Sequence, residues 1–505
     1  MAVTVGAGRP AEGPGAPRLG LATLSRVPES SRPLLRPGDV PAGIVHLGLS
    51  AFHRAHQAVY TEAAVAAAGG DWGVVGVAPR SRAVLDALAA QDGLFSVTTT
   101  SAAGSHTQVV GALRAVRHAA SDPAAVVALL ADPAIRVVTL TVTEKAYQLD
   151  SVTGRLRPDR ELAADLATDR PPVTVPGLLL RGLLARAVAD AGPIALVSCD
   201  NLPANGRRLA GLVDAVIRAA RTPDRLAGWV ADRVTFPGTM VDRIVPASTP
   251  DTLAVAGRAL GVADLAAVTA EPYRQWVIED RFPAGRPRWE RAGAVLTTDA
   301  GPWERLKLRT LNGVHSAIAY LGALAGRETI ADALAVPHLA TVLHRLVAQD
   351  VAASFRPPAG ISVVDYGAEA LARFANPAIR YRALQVAMDG SQKLPQRILH
   401  TVADLRAGGR PAHWSALVVA AWMRFARGRA DDGAQLPLDD PLAGRIRARL
   451  RAAPDTPTGV ADALFGLAEV FPPELSGDDG VRSAVTGWLT ELDRYGVLGT
   501  LARAA

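Results

Sequence analysis

Between about residues 40 and 295 the chain alternates, and that alternation limits the fold more than any other feature. Short runs rich in β-branched residues, Ile44-Val45-His46-Leu47, Val74-Val75-Gly76-Val77, Val137 to Val142 and Ile194 to Val197, are separated by Ala- and Leu-rich helical stretches. Strands alternating with helices read as βαβ units around a mostly parallel sheet. From about Pro302 the strand signals fade. Long Ala/Leu/Arg segments of helical periodicity replace them, broken at Pro357-Pro358, Gly408-Gly409, Asp431-Asp432-Gly433 and Pro472-Pro473. The expectation is an α/β domain followed by a helical domain, with the boundary near 295–302. Residues 1–36, rich in Gly, Pro, Ala, Ser and Arg, read as a flexible N-terminal tail.

Composition removes several function classes. With 49% hydrophobic and 20% charged residues over 505 positions, the chain can bury a large core and is not disordered as a whole. A single cysteine, Cys199, excludes a disulfide framework and suits a reducing compartment. The net charge of +6 invites a nucleic-acid reading. Arginines scattered among acids, and only 5% aromatics, argue against it. No secretory signal and no run of about 18 apolar residues is present, so the expected setting is the cytoplasm, away from membranes.

Two scarcities mark candidate residues. The only lysines are Lys145, Lys307 and Lys393, against 54 basic side chains in all, and the only asparagines are Asn201, Asn205, Asn312 and Asn376. Arginine serves wherever a surface cation suffices. A retained lysine is a candidate for work that needs loss of a proton near neutral pH.

The first strand and turn, Gly43 to Tyr60, offer Gly48 and then Ser50 as small residues through which backbone N–H groups approach a pyrophosphate. Arg54 stands near that turn. His53 and His56 lack a third ligand in the sequence nearby, so no metal is expected. After the second strand come Ala78, Pro79, Arg80, Ser81 and Arg82, with no acid to hold the ribose hydroxyls of NAD. Arg80 and Arg82 would suit a 2′-phosphate, so NAD and NADP both stay open.

Pro302 to Ala317 reads as one helix. At roughly 100° per residue, Lys307, Glu304, His315 and Asn312 fall at roughly 0°, 60°, 80° and 140°, within one arc. A lysine on such an inward face suits general acid/base exchange between an alcohol and a ketone. Asn312 and His315 could hydrogen-bond the oxygen as charge develops on it. Asn201 follows a predicted strand and could supply a second arm, while Asn205-Gly206 reads as a turn and Cys199 as a buried small side chain.

These stretches together resemble the polyol-specific long-chain dehydrogenase family, which holds mannitol 2-dehydrogenase and fructuronate reductase (D-mannonate oxidoreductase). The similar segments are IVHLGLSAFHRAHQAVYT, TLTVTEKAY, VSCDNLPANG, TFPGTMVDRIVPASTPDTL, QWVIEDRFPAGRPRWERAGA, KLRTLNGVHSAIAYLG and RFANPAIRYRALQVAMDGSQKLPQR. The resemblance implies a metal-independent, NAD-dependent enzyme, with NADP not excluded. It implies a Rossmann-type domain over 37–298 and a mostly α-helical substrate and catalytic domain over 299–505. By the same resemblance Lys307 is the acid/base, Asn201 and Asn312 clamp the reacting oxygen, His315 binds substrate and Glu304 gates the proton. Asp242 is a further active-site position. Gly48, Ser50, Phe52, Arg54, Thr143 and Asn201 fall on the cofactor side. The family turn usually has glycine where this chain has Ser50.

Mannitol 2-dehydrogenases tend to carry an arginine where this chain has Gln385. The segment Met388 to Arg397 looks more like fructuronate reductase, and a uronate brings a carboxylate that Arg382, Lys393 or Arg397 could pair with. The expected reaction is the interconversion of D-fructuronate and D-mannonate. The alternatives are a mannitol- or arabinitol-type polyol 2-dehydrogenase and a catalytically silent sugar-acid-binding regulator. The expected partner is a small sugar acid or polyol, and the expected state a monomer or small homo-oligomer.

Overall fold

A computed structural model describes residues 16–505 except 102, 151–153, 221–224 and 378–380. It divides into two compact units, the first ending at Gly301 and the second running from Pro302 to Ala505.

The first unit is built on six parallel strands: β1 (Ala42–Leu47), β2 (Gly73–Ala78), β3 (Leu113–His118), β4 (Val137–Leu140), β5 (Ile194–Ser198) and β6 (Val234–Thr235). Their spatial order is β3-β2-β1-β4-β5-β6. This is the doubly wound order of dinucleotide-binding folds, with a switch between β1 and β4. The strands are apolar throughout because both faces are covered. Ile44 joins one core cluster, whereas Val45 and Leu47 join the other. Two small sheets were not visible in the alternation. One pairs Phe95–Ser101 with Gly104–Val110 and Val268–Ala270, and the other pairs Gln275–Glu279 with Thr239–Asp242 and Val295–Thr297.

The flexible tail expected over 1–36 is corrected from residue 16 onward; residues 1–15 lie outside the described residues. Leu19, Leu24 and Val27 are buried against Leu94, Val109, Leu260 and Val262, and Arg18 bridges to Ala263. Leu24 and Val27 stand three apart on and just after the short 3₁₀ helix Leu21–Arg26, which brings them to one side of the cluster.

Among the described residues the second unit has no strand, only helices and isolated bridges. The helix Gly313–Leu324 lies at its centre, packed by Ala383–Ala387, Ile330–Leu334 and His413–Ala426. Three π turns, Leu308–Asn312, Leu346–Val351 and Pro395–Leu399, interrupt the α-helices; the first packs against each of the other two. None of the helices among the described residues is long and apolar enough to cross a membrane.

Candidate active site

In the first unit a cavity of about 570 Å³ opens at the C-terminal ends of β1, β2 and β4, where ligands bind in sheets of this order. Gly48 forms its floor with φ +106°, and a Cβ there would stand 2.1 Å from the Thr141 carbonyl oxygen. Only glycine fits such a position. Ser50 takes the place of a second glycine for a local reason. Its Oγ accepts from the His53 N–H at 3.0 Å and so caps the helix Ala51–Ala55. Gly48, Ser50, Arg80, Ser81, Thr143 and Lys145 line the cleft. The glycine floor, with no side chain between backbone and cavity, fits the close approach of a dinucleotide pyrophosphate.

Thr143 is held at φ 73° by Asp200, whose Oδ1 accepts from Val142 N–H at 2.8 Å and Thr143 N–H at 2.9 Å. The Tyr147 hydroxyl donates to the other Asp200 oxygen at 2.9 Å. Burial raises the Asp200 carboxyl above its ordinary range. Sequence reasoning passed over Asp200 in favour of its neighbour. The available signal was an acid set directly after a buried strand.

Phe52, Arg54 and Asn201 are not among the residues lining the cleft. Arg54 is buried and donates to the Leu49 carbonyl at 3.3 Å; burial lowers its pKa to about 10. Its neighbour His53 on the same helix is also buried, stacked on His46 with centroids 3.4 Å apart. Phe52 stacks on His56 instead. Asn201 is exposed just past β5. Asp242 is buried at the end of its strand, opposite Gln275. Asn205, read as a turn, starts the helix Asn205–Ala219 and is buried. Its Nδ2 donates to the Asp200 and Thr239 carbonyls at 3.1 and 3.0 Å. Cys199 is buried, and burial pushes its thiol well up.

In the second unit Lys307 ends the helix Gly301–Lys307, and Asn312 ends the π turn that follows. Both are buried, and Glu304 is half-buried. The single helix expected across 302–317 is corrected here. Five-residue hydrogen bonding replaces the α register, so residues five apart stack along the axis. The wide angle that a straight α-helix would put between Lys307 and Asn312 closes. His315 follows on Gly313–Leu324, stacked on Phe374 at 4.4 Å and beside Tyr381 at 5.3 Å. Its Nε2 is enclosed without a hydrogen-bond partner among the described residues. Burial, then the charges of Arg397, Lys393 and Arg373, hold its pKa well below the ordinary value, so the imidazole is neutral.

Two cations flank that imidazole. Lys393 donates to the Val386 carbonyl at 3.2 Å; burial, and then the Arg397 charge, lower its pKa to about 8. Arg397 donates through Nη1 to Ser316 Oγ at 3.0 Å. Among the described residues neither has a carboxylate at ion-pair distance; Asp389 and Asp440 act on Lys393 only as more distant charges. Arg382 stands apart from this group, exposed and 4.0 Å from the Glu328 carboxylate.

The family model for the mannitol dehydrogenase Rossmann domain matches residues 42–291, and that for the mannitol dehydrogenase C-terminal domain matches 299–493. D-mannonate oxidoreductase of Escherichia coli K12 is 37% identical over 94% of this chain and 98% of its own length. Mannitol 2-dehydrogenase of Cereibacter sphaeroides is 39% identical over 91% and 96%. The solved Pseudomonas fluorescens mannitol 2-dehydrogenase, a ternary complex with NAD and D-mannitol, superposes with a TM-score of 0.84 at 32% identity, covering 96% of this chain and 99% of that one.

Proposed function

This chain belongs to the mannitol dehydrogenase family of oxidoreductases, and we propose that it interconverts D-fructuronate and D-mannonate with NAD(H). The observation that carries the choice of a uronate is the pair Lys393 and Arg397. Two half-buried cations beside a neutral imidazole, with no carboxylate among the described residues at ion-pair distance, call for an anionic ligand. A uronate carboxylate supplies that charge, and a polyol does not.

The nicotinamide cofactor, when bound, supplies or accepts the hydride. Gly48, Ser50, Thr143 and Lys145 would hold it through the cleft they line. In ketone reduction protonated Lys307 gives its proton to the developing alkoxide. In the reverse direction neutral Lys307 takes that proton from the alcohol. Asn312, presented by the π turn one register step from Lys307, donates a hydrogen bond to the reacting oxygen, and the family resemblance gives Asn201 an oxygen-binding role as well. His315, kept neutral, orients the substrate hydroxyls, Glu304 lies on the proton route and Asp242 contacts substrate. Arg397 and Lys393 bind the carboxylate. The roles of Asn201, Asp242 and Glu304 rest on the family resemblance.

The test is NADH oxidation by the purified chain with D-fructuronate and D-fructose side by side. A fructuronate rate at least about tenfold above that for fructose is expected. A fructose preference would move the chain to the polyol dehydrogenases and overturn the uronate reading.

A further inference from the structure

The far end of the cleft in the first unit has a chemistry that the proposed reaction leaves unused. In a sheet of this order the C-terminal end of β2 faces the adenosine ribose, and an acid there binds the two ribose hydroxyls and repels a 2′-phosphate. This chain turns from β2 into Pro79, Arg80, Ser81 and Arg82. Arg80 and Ser81 line the cleft. The segment is anchored: His118 Nε2 lies 2.9 Å from the Arg80 carbonyl, His118 Nδ1 lies 2.6 Å from Ser121 Oγ, and Arg82 Nη1 donates to Ser121 Oγ at 3.1 Å. The guanidinium of Arg80 stays on the surface, where Nη2 meets Glu161 at 2.9 Å.

Three acids stand nearby among the described residues, and all are accounted for. Asp86 meets Arg82 Nη2 at 3.5 Å on the surface. Asp159 lines the cleft, but its Oδ1 accepts from the Leu162 N–H at 2.8 Å and caps the helix Arg160–Ala167. Glu161 is held by Arg80, and both side chains are more than half exposed. Such a surface pair is weak, so the guanidinium can leave it for a dianion.

We propose that the β2 end of this cleft accepts a 2′-phosphate through Arg80 and Ser81, so that the chain takes NADP(H) as well as NAD(H). The proposal rests on the dinucleotide-dependent reading above and is independent of which sugar is reduced.

The test is equilibrium titration of the full chain with ADP-ribose and 2′-phospho-ADP-ribose, read by calorimetry. Neither compound carries a nicotinamide, so turnover plays no part. The phosphorylated compound is expected to bind no more than about threefold weaker than ADP-ribose, where a ribose-binding acid would cost it far more. Arg80→Ala should weaken the phosphorylated compound by about tenfold or more and leave ADP-ribose within about twofold. Glu161→Gln should tighten the phosphorylated compound and leave ADP-ribose unchanged. A wild-type preference for ADP-ribose beyond threefold overturns the proposal, as does loss of ADP-ribose affinity in Glu161→Gln, which would make Glu161 the diol acceptor. Binding of neither compound would remove the dinucleotide reading as well, whereas binding of ADP-ribose alone removes only the phosphate site.

Discussion

Arg397 Nη1 donates to Ser316 Oγ over 3.0 Å, which ties the cation of the π turn Pro395–Leu399 to the residue that follows His315. The same Nη1 lies 3.5 Å from the Asn312 carbonyl oxygen. One guanidinium therefore spans the end of the Leu308–Asn312 turn and the start of the next helix. A charged group in that place reports on whether the ligand carries a charge of its own.

Removing it should separate the two candidate substrate classes. A charge-assisted hydrogen bond is worth about 1.5–3 kcal/mol, or roughly ten- to a hundredfold in affinity. In Arg397→Ala the KM for D-fructuronate should rise by about that factor, while any activity on D-fructose changes much less. Arg397→Lys should recover part of the loss. Equal damage to both substrates would assign Arg397 to scaffolding.

Lys393 gives the same carboxylate site a pH dependence. Its pKa of about 8 means that it is charged below that value and neutral above it. The ratio of fructuronate to fructose kcat/KM should therefore fall as pH rises through 8, by up to about tenfold per unit. Taking the ratio removes any titration of Lys307, which serves both ketones. In Lys393→Arg the fall should vanish, because arginine stays charged. A ratio that is flat with pH in the wild type would remove Lys393 from the carboxylate site.

Lys307 itself is tested by chemistry rather than binding. Lys307→Ala should lower kcat by about 10²–10⁴, the range of general acid/base contributions. NADH binding, followed by fluorescence titration, should survive. Lys307→Arg should be as poor in alcohol oxidation, since it cannot take up a proton. Near-normal turnover in either variant would sink the role.

How much of this was legible depends on the kind of signal. The runs at Ile44, Val74, Val137 and Ile194 are β1, β2, β4 and β5, because a parallel strand covered on both faces is apolar without interruption. Leu19, Leu24 and Val27 gave no such pattern, since a six-residue 3₁₀ helix is too short for its period to stand out. The π turn after Lys307 was equally silent. It packs against Pro395–Leu399 and Val363–Phe374, both far along the chain, and no local pattern marks it. Arg382, Lys393 and Arg397 could not be ranked from their shared stretch of sequence. Their separation comes from helix ends and burial, which leave Arg382 beside Glu328 on the surface.

The crossing of the two π turns makes a stability prediction. A Cβ on Gly313 would stand 3.0 Å from the Arg397 carbonyl oxygen. Helix propensity alone favours Gly313→Ala by about 1 kcal/mol. Crowding of a packed backbone costs about 1–3 kcal/mol. The variant should therefore melt at or below the wild-type temperature and lose turnover as Asn312 shifts. A raised melting temperature with full activity would show that the crossing yields freely.

Acid should destabilise the first unit before its surface carboxylates titrate. His46 and His56 are buried neutral with pKa values lowered to about 3, and His53 is held well below its ordinary value, all chiefly by burial. Unfolded, each takes up a proton near pH 6.5. The unfolded chain thus binds more protons than the native one, and stability falls as pH drops below about 6.5. Glu62 opposes this. Burial raises its pKa to about 7, so between about 7 and 4.5 the native state holds a proton that the unfolded state lacks. Three histidines against one glutamate leave about two protons, or at most about 2.7 kcal/mol per pH unit near pH 5.5. The urea midpoint followed by circular dichroism should drop clearly from pH 7.5 to pH 5.5. Glu62→Gln, which abolishes the opposing uptake, should make the drop steeper. A midpoint that holds steady across that range would mean that the His46–His53 stack admits a proton without opening.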